Sequence, residues 1–339
     1  MTLSAGLFTA CRKDKDPLII VPASSGSSLQ LSGIAGSEAG SSAGNTVFVD
    51  LSTDKQTAVA RNSWDLGFYC GADFRVIINN TTSAMARALP TRTSLSDVVA
   101  SDTAGLSLAF SFSAADYAKI DDVRGDLSKT VIAAVSATDA DNKVYVLNCG
   151  TGGSVPTRDW YKIRVTRNSA SGYTLQYAKL AAGSAINTIG IAKDADFNFK
   201  YVHLANGAVE VEPAKKLWDF KWSYLVYETP YGSGNIPYAF SDFVILNQYA
   251  GVQAAEVMNS TITYDNYAAA NISTTTFSSA PDVIGGNWRS TQPATGARTD
   301  RFYVVKDPSG NVYKIKFQAM GAGDGGVRGR PQFEYKLVR

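Results

Sequence analysis

Few side chains in this sequence can supply the chemistry of catalysis or of metal coordination. The chain contains one histidine, His203, which excludes any site that needs two imidazoles and leaves one base for a Ser-His-Asp arrangement. His203 lies in the strand-like segment Tyr201-Val-His-Leu204, where a single histidine is usually structural. Gly321-Ala-Gly-Asp-Gly-Gly326 has the spacing G-x-G-x-x-G, but too few residues follow it to build a dinucleotide site. We therefore predict that the protein is not an enzyme.

The composition predicts a folded chain with no nucleic-acid partner. The sequence has 339 residues, of which 45% are hydrophobic, so it can bury a sizeable core and does not resemble a disordered chain. Its 32 Lys and Arg residues nearly balance its 30 Asp and Glu residues, whereas a DNA- or RNA-binding domain is expected to be much more basic. Charged residues amount to only 18%, against roughly 25% in average domains, and the 29 Gly and 17 Tyr favour many short strands and turns.

The first residues resemble the end of a bacterial lipoprotein signal peptide. An apolar stretch with small residues runs up to Cys11 and is followed by Arg12-Lys-Asp-Lys-Asp16. We expect residues 1–11 to be a signal remnant with Cys11 as a lipid anchor, and the Ser- and Gly-rich residues 12–44 to be a flexible tether. An ordinary N-terminus is the alternative. No apolar run of about 18 residues occurs, so no helix is expected to span a membrane.

Four sequence blocks occur twice, in the same order and at a nearly constant offset. The matched blocks are residues 47–51 with 201–204, 64–69 with 218–223, 144–165 with 302–317, and 172–180 with 329–337. A tandem duplication explains this order. It predicts two domains, residues 45–180 and 197–339, joined by a linker at residues 181–196. We refer to these domains as the first half and the second half.

Within each half the hydrophobic pattern repeats every two residues. In the segment 161–166, Tyr161, Ile163 and Val165 alternate with Lys162, and in the second half the same pattern surrounds Lys314. Such alternation is typical of strands with one buried and one solvated face, so both lysines are expected on the solvated face. The predicted fold class is all-β, as two tandem antiparallel β domains.

Several of these segments together resemble the HmuY family of surface lipoproteins of Gram-negative bacteria. The resemblance rests on Trp64-Asp-Leu-Gly-Phe followed by Arg75-Val-Ile-Ile-Asn-Asn80, on Trp218-Asp-Phe followed by residues 238–246 and 251–254, and on the closing Tyr-Lys-Ile and Phe-Glu-Tyr-Lys-Leu strands. It covers nearly the whole chain after the tether. It implies an all-β fold, attachment to the outer membrane through Cys11, and capture of haem for an outer-membrane transporter.

The resemblance also implies where iron ligands should lie. In the family, a pair of His or Met ligands comes from loops between the Trp-Asp block and the Tyr-Val block, because six-coordinate haem iron needs a donor on each face. Here residues 86–142 contain neither type, and residues 257–300 contain only Met258. The candidates for haem binding are Met258, Met85, a tyrosinate from Tyr117, Tyr264 or Tyr267, and the basic residues Arg289 and Arg298 for the haem propionates.

The missing ligand pair leaves a second function open, namely a surface lipoprotein of the same fold that binds a protein, a peptide or a glycan through its loops. Residues 227–235 are predicted to form one such loop, which is rich in aromatic and small residues. Trp160 and three further tryptophans could stack on sugars, although most of them lie in strand patterns that favour the core.

The cysteines offer a possible disulfide. Export would place Cys70 and Cys149 in an oxidising compartment, where they could pair and join two strands of the first half. The second half has no cysteine at the matched places, so its fold would stand without a bridge. Two buried free thiols are the alternative.

Overall fold

The structure is a computed structural model that describes residues 22–106, 113–169 and 171–339. The predicted signal remnant, the lipid anchor Cys11 and the first part of the predicted tether lie outside these residues. Within the described ranges, no helix is long and apolar enough to cross a membrane.

The described residues form antiparallel strands joined by short 3₁₀ helices, so the predicted all-β class is confirmed. The strands are β1 Gly26–Gln30, β2 Asn45–Asp50, β3 Lys55–Ala60, β4 Leu66–Tyr69, β5 Val76–Ile78, β6 Met85–Leu89, β7 Val144–Asn148, β8 Tyr161–Arg167, β9 Tyr173–Lys179, β10 Asn187–Ile191, β11 Phe199–His203, β12 Gly207–Val209, β13 Phe220–Tyr231, β14 Gly234–Leu246, β15 Gln253–Met258, β16 Arg289–Ser290, β17 Gly296–Ala297, β18 Arg301–Lys306, β19 Val312–Ala319 and β20 Gln332–Leu337. The 3₁₀ helices are Gly40–Ser42, Asn80–Thr82, Leu95–Asp97, Ala100–Thr103, Ala114–Lys119, Leu127–Lys129, Asp139–Asp141, Gly152–Ser154, Gln248–Ala250 and Ala269–Thr274.

Two five-stranded sheets repeat one arrangement of strands. The first large sheet has the order β10-β9-β8-β7-β6, and the second large sheet has the order β1-β20-β19-β18-β15. Their central strands, β8 and β19, carry the two Tyr-Lys-Ile segments. Lys162 lies between Val146 and Ala178, and Lys314 lies opposite Val304, so the two lysines occupy matching places.

The alternating pattern of β8 is confirmed for the buried face and corrected for the other face. Tyr161, Ile163 and Val165 are buried as predicted. Lys162, which was expected on a solvated face, is only 5% exposed, and Lys314 is 7% exposed. The reason is that the segments after β6 and β15 pack across this second face and build small cores there.

Two four-stranded sheets combine strands from both halves. Their orders are β12-β11-β4-β5 and β14-β13-β2-β3. Strand β11 of the second half therefore pairs with β4 of the first half, and β2 of the first half pairs with β13 of the second half. The domain division stays a prediction, and the hairpins β2–β3 and β11–β12 are exchanged across it.

The Trp-Asp pairs make matching contacts in this exchange. Oδ2 of Asp65 accepts a hydrogen bond from the backbone N–H of Leu204 at 2.8 Å. Oδ2 of Asp219 accepts one from the backbone N–H of Leu51, also at 2.8 Å. Each aspartate thus holds the end of a strand that belongs to the other half.

The segments that were predicted to be a flexible tether and a linker both contain strands. β1 lies within the predicted tether and pairs with β20 along its length, while β10 lies within the predicted linker and pairs with β9. The serines and glycines of the tether suggested flexibility, but Leu29 packs against the core and Leu31 is fully buried. Successive side chains of a strand point to opposite faces, so a few apolar residues at alternate positions are enough to bury one face of a short edge strand. Its backbone hydrogen bonds come from the neighbouring strand and do not depend on the side chains.

Residues 227–235, which were predicted to form an aromatic loop, mostly belong to strands. β13 and β14 extend through it as a long hairpin with a tight turn between Tyr231 and Gly234. Tyr231 is 63% exposed at the tip.

Candidate binding groove

The predicted methionine ligands do not face a common cleft. Met85 lies in β6 and is fully buried in the small core that includes Leu89 and Val146. Met258 is the last residue of β15 and lies opposite Arg301 in the second large sheet. The two positions belong to different sheets, and neither methionine lines the groove described below.

Two of the predicted tyrosine ligands are buried and the third, Tyr117, is half-buried. Tyr264 and Tyr267 are each 3% exposed and pack edge-on against Phe302. The hydroxyl of Tyr267 shares a hydrogen bond of 2.5 Å with Thr275. Burial raises the pKa of Tyr264 and that of Tyr117, and this opposes the deprotonation that an iron–phenolate bond requires.

The predicted propionate partners are occupied elsewhere. Nη2 of Arg289 donates to the carbonyl of Ser241 at 2.6 Å, and its Nε lies 3.9 Å from Oδ2 of Asp242. Arg298 is exposed, and its Nε donates to the carbonyl of Arg289 at 3.3 Å. Arg289 therefore joins Arg328 in neutralising Asp242 and does not line the groove described below.

Cys70 and Cys149 are free thiols, so the predicted disulfide is not formed. Cys70 directly follows the end of β4, whereas Cys149 contacts Asp65, which directly precedes the start of that strand. Because a strand rises about 3.3 Å per residue, the length of β4 keeps the sulfurs apart. Burial raises the pKa of both thiols.

An open groove lies on the outer face of the first large sheet. It is bounded by the segment after β6, the start of β8 and the end of β9, and it holds about 1230 Å³ of empty space, part of it open to solvent. Its apolar lining includes Val98, Val99, Trp160 and Leu180. Among the described residues that line it, none is a His, Met, Cys or Tyr.

Lys162 forms part of this groove and differs sharply from its match, Lys314. Nζ of Lys314 donates to the backbone carbonyls of Tyr264 at 2.6 Å and Tyr267 at 2.9 Å, and it lies 4.7 Å from the ring of Tyr264. Lys162 has no hydrogen-bond or ion-pair partner within the described part of the chain. The ammonium that is capped in the second half therefore opens onto the groove in the first half.

Two further cations line the groove, and both have partners. Nη1 of Arg158 lies 2.5 Å from Oδ1 of Asp65, and Nη2 donates to the carbonyl of Cys149 at 2.9 Å. Nζ of Lys179 lies 2.7 Å from Asp159 in a largely exposed ion pair. Exposed pairs contribute little stability and can rearrange, so Lys179 can turn to a bound anion while Arg158 stays fixed.

Sequence reasoning missed Lys162, Lys179 and Val99, and it named Trp160 for another purpose. The alternation of β8 placed Lys162 in solvent, because a pattern of period two cannot show that a loop covers the second face. One signal was present in the sequence: Lys162 and Lys314 occur at the same place of the repeated Tyr-Lys-Ile segment.

The structure thus combines an all-β scaffold with an open groove that carries cations. The chain belongs to the HmuY protein family, whose family model matches residues 42–335 and thus most of the chain. This confirms the resemblance found in the sequence. No curated protein and no solved structure matches the chain. At the level of the family, these are surface-associated proteins of haem-binding type, and the family is one of binding proteins, not of enzymes.

The described residues do not fit the coordination of haem iron. No group of three His, Cys, Asp or Glu side chains in the described ranges could hold a metal ion. The sulfur and phenol donors named above are buried, engaged or on different sheets. The groove instead offers apolar walls for a flat ring and a cation for a carboxylate.

Proposed function

We propose that the protein is a lipid-anchored surface binding protein that captures a haem-type tetrapyrrole in the groove of the first half. The ring packs on Trp160, Val98 and Val99, and the propionates pair with Lys162 and Lys179. Transfer of the ligand to an outer-membrane transporter belongs to the same proposal, with Cys11 as the anchor.

The observation that carries the proposal is the absence of a partner for Lys162 among the described residues. A cation that is almost fully buried is costly unless an anion or several acceptors lie beside it. Lys314 shows that this fold can cap the matching lysine with backbone carbonyls. A carboxylate ligand would supply the missing partner of Lys162.

The lining of the groove sets the expected selectivity. Since its described residues include no iron ligand, recognition depends on the ring and the carboxylates. Haemin and metal-free protoporphyrin IX should bind with similar affinity, in the micromolar range of about −8 kcal/mol. Burial of a large apolar plate in a preformed groove can supply much of that affinity.

The test is a titration of the purified protein with haemin and with protoporphyrin IX, followed by absorption and by tryptophan fluorescence. Lys162→Met should weaken both ligands about tenfold, which corresponds to about 1.4 kcal/mol. Two controls should bind as the unaltered protein does: Lys336→Met, an exposed lysine on β20, and Met258→Ala, which removes the sulfur predicted as a ligand.

Two results would contradict the proposal. If neither porphyrin gives a saturable change near equimolar protein, the groove does not take tetrapyrroles. If haemin alone binds and Met258→Ala abolishes its binding, binding depends on iron coordination by Met258 and haem does not bind in the groove.

The alternative function, binding of a protein, peptide or glycan, is favoured by one observation. The β13–β14 hairpin projects an exposed Tyr231 at its tip. Exposed aromatic side chains of this kind are typical of contact surfaces. A protein that binds neither porphyrin would leave this alternative as the better explanation.

A further inference from the structure

A second cleft lies between the two four-stranded sheets and shares no lining residue with the groove. β5 and β11 form one side and β13 and β14 the other, and the cleft holds about 990 Å³ of empty space, part of it open to solvent. The proposed function does not use this cleft.

Lys221 brings a positive charge to the cleft. It lies in β13 between Phe48 and Ile245, and its ammonium has no hydrogen-bond or ion-pair partner among the described residues. Burial lowers the pKa of Lys221, and the charge of Glu212 acts in the opposite direction without forming an ion pair. The oxygens of Glu212 are already engaged by the backbone N–H of Phe199 at 2.7 Å and the hydroxyl of Tyr201 at 3.3 Å.

The repeat shows that Lys221 has no counterpart on the opposite side. In the two Trp-Asp blocks, Lys221 stands where the first half has Gly67. Gly67 lies opposite Tyr201, and a Cβ there would come within 2.8 Å of Ile77 and 3.1 Å of the Tyr201 ring. The absence of a side chain at Gly67 keeps these two lining residues in place beside the cation of the opposite wall. The carboxyl groups of Asp121 and Glu212 also line the cleft, and the oxygens of both accept hydrogen bonds from other groups of the protein.

The walls and the roof of the cleft favour a small, flat ligand. Trp64 packs edge-on against Tyr201 with ring centroids 4.9 Å apart. Residues 121–130 form the roof, where the hydroxyl of Tyr249 donates to the carbonyl of Gly125 at 2.7 Å. Arg124 of the same segment forms ion pairs with residues of the second half. Oδ2 of Asp121 accepts a hydrogen bond from the backbone N–H of Ile78 at 2.7 Å, so the roof is fixed to both halves and limits the size of the ligand that can enter.

We infer that this cleft binds a small aromatic carboxylate. The carboxylate pairs with Nζ of Lys221, and the ring packs against Trp64, Tyr201 and Tyr249. An anion beside Lys221 offsets the cost of a desolvated ammonium, while aromatic walls select a planar ring over an aliphatic chain.

The test uses 4-fluorobenzoate as the probe and follows its fluorine NMR signal during titration with the full chain. A saturable shift is expected, and the neutral analogue 4-fluorobenzamide should bind about tenfold more weakly because it cannot form the ion pair. Lys221→Met should weaken 4-fluorobenzoate by a similar factor. Lys336→Met, an exposed lysine on β20 that lines neither the cleft nor the groove, should leave the benzoate affinity unchanged.

Equal binding of the acid and the amide would overturn the inference, and so would the absence of a saturable shift. The amide comparison uses the unaltered protein, so it decides the question even if Lys221→Met does not fold. The benzoate titration tests the cleft and the porphyrin titration tests the groove, so either proposal can fail without the other. Excess 4-fluorobenzoate should not displace protoporphyrin from the groove.

Discussion

The two large sheets have the same strand order and carry the same central lysine, yet only one of them leaves that lysine without a partner. In the second large sheet the segment after β15 turns backbone carbonyls toward Lys314 and brings Tyr264 and Tyr267 into the core. In the first large sheet the described residues after β6 supply no hydrogen-bond acceptor to Lys162, which lines a groove there. The comparison shows that a lysine at the same place in two matching sheets is held by backbone carbonyls in one and left without a partner among the described residues in the other, where we propose that a ligand pairs with it.

Lys314→Met should produce the largest loss of stability. Its ammonium makes two short charge-assisted hydrogen bonds, and the substitution would leave the carbonyls of Tyr264 and Tyr267 buried without a donor. We expect the free energy of unfolding to fall by about 4 kcal/mol, measured by urea denaturation. Lys162→Met should not lower the free energy of unfolding, since no partner is lost and a buried charge is removed. Equal losses in the two variants would show that Lys162 also has a structural role.

Glu212→Gln should change how stability depends on pH. Burial raises the pKa of Glu212 from 4.5 to about 7. The folded state holds this proton more tightly than the unfolded state does. The contribution of Glu212 to the free energy of unfolding is therefore fully present below pH 4.5 and is lost as the pH rises through 7. Between pH 5 and pH 8 the unaltered protein should lose about 2.5 kcal/mol relative to the variant, measured by denaturation at both pH values. A constant difference would mean that Glu212 is ionised throughout.

The Trp-Asp pairs allow a matched test of the exchanged strands. Asp65 neutralises Arg158, whereas Asp219 has no salt bridge among the described residues and burial raises its pKa well above the ordinary value. Asp65→Asn should therefore lower the free energy of unfolding by about 2 kcal/mol, and Asp219→Asn should lower it by less than about 1 kcal/mol. Thermal and urea unfolding of the two variants measure this difference. A larger loss of stability in Asp219→Asn than in Asp65→Asn would show that the ion pair between Asp65 and Arg158 contributes little to stability.

Trp160→Ala should have the smallest effect of the four changes, and it acts on binding. Loss of the indole surface should weaken protoporphyrin about tenfold, or about 1.4 kcal/mol, while Trp160→Phe should retain most of the affinity. The fluorescence titration described above gives both values. Trp288→Phe is not a suitable control, because Trp288 stacks on Phe317 in the main core. An unchanged affinity in Trp160→Ala would place the ring elsewhere in the groove.

The sequence predicted the all-β class and the family because alternation and motif order are local properties of the chain. It did not predict which strands pair across the two halves, because the same alternating pattern suits a partner in either half. The prediction that Lys162 lies on a solvated face was wrong. Alternation with a period of two residues shows on which face of the strand a side chain lies, but it does not show what covers that face. Arg289 and Arg298 were chosen for charge alone, and only the fold shows that Arg289 is engaged by Asp242.

The exchanged hairpins also determine when this chain can finish folding. β2 finds its inner neighbour only when β13 has been made, and β1 pairs with the last strand of the chain, β20. Contacts between such distant segments form late, because the intervening loop must be closed first. A chain cut before β13 keeps β2 as an open edge, which is a site for aggregation. The order of synthesis thus makes the second half the partner that protects the first.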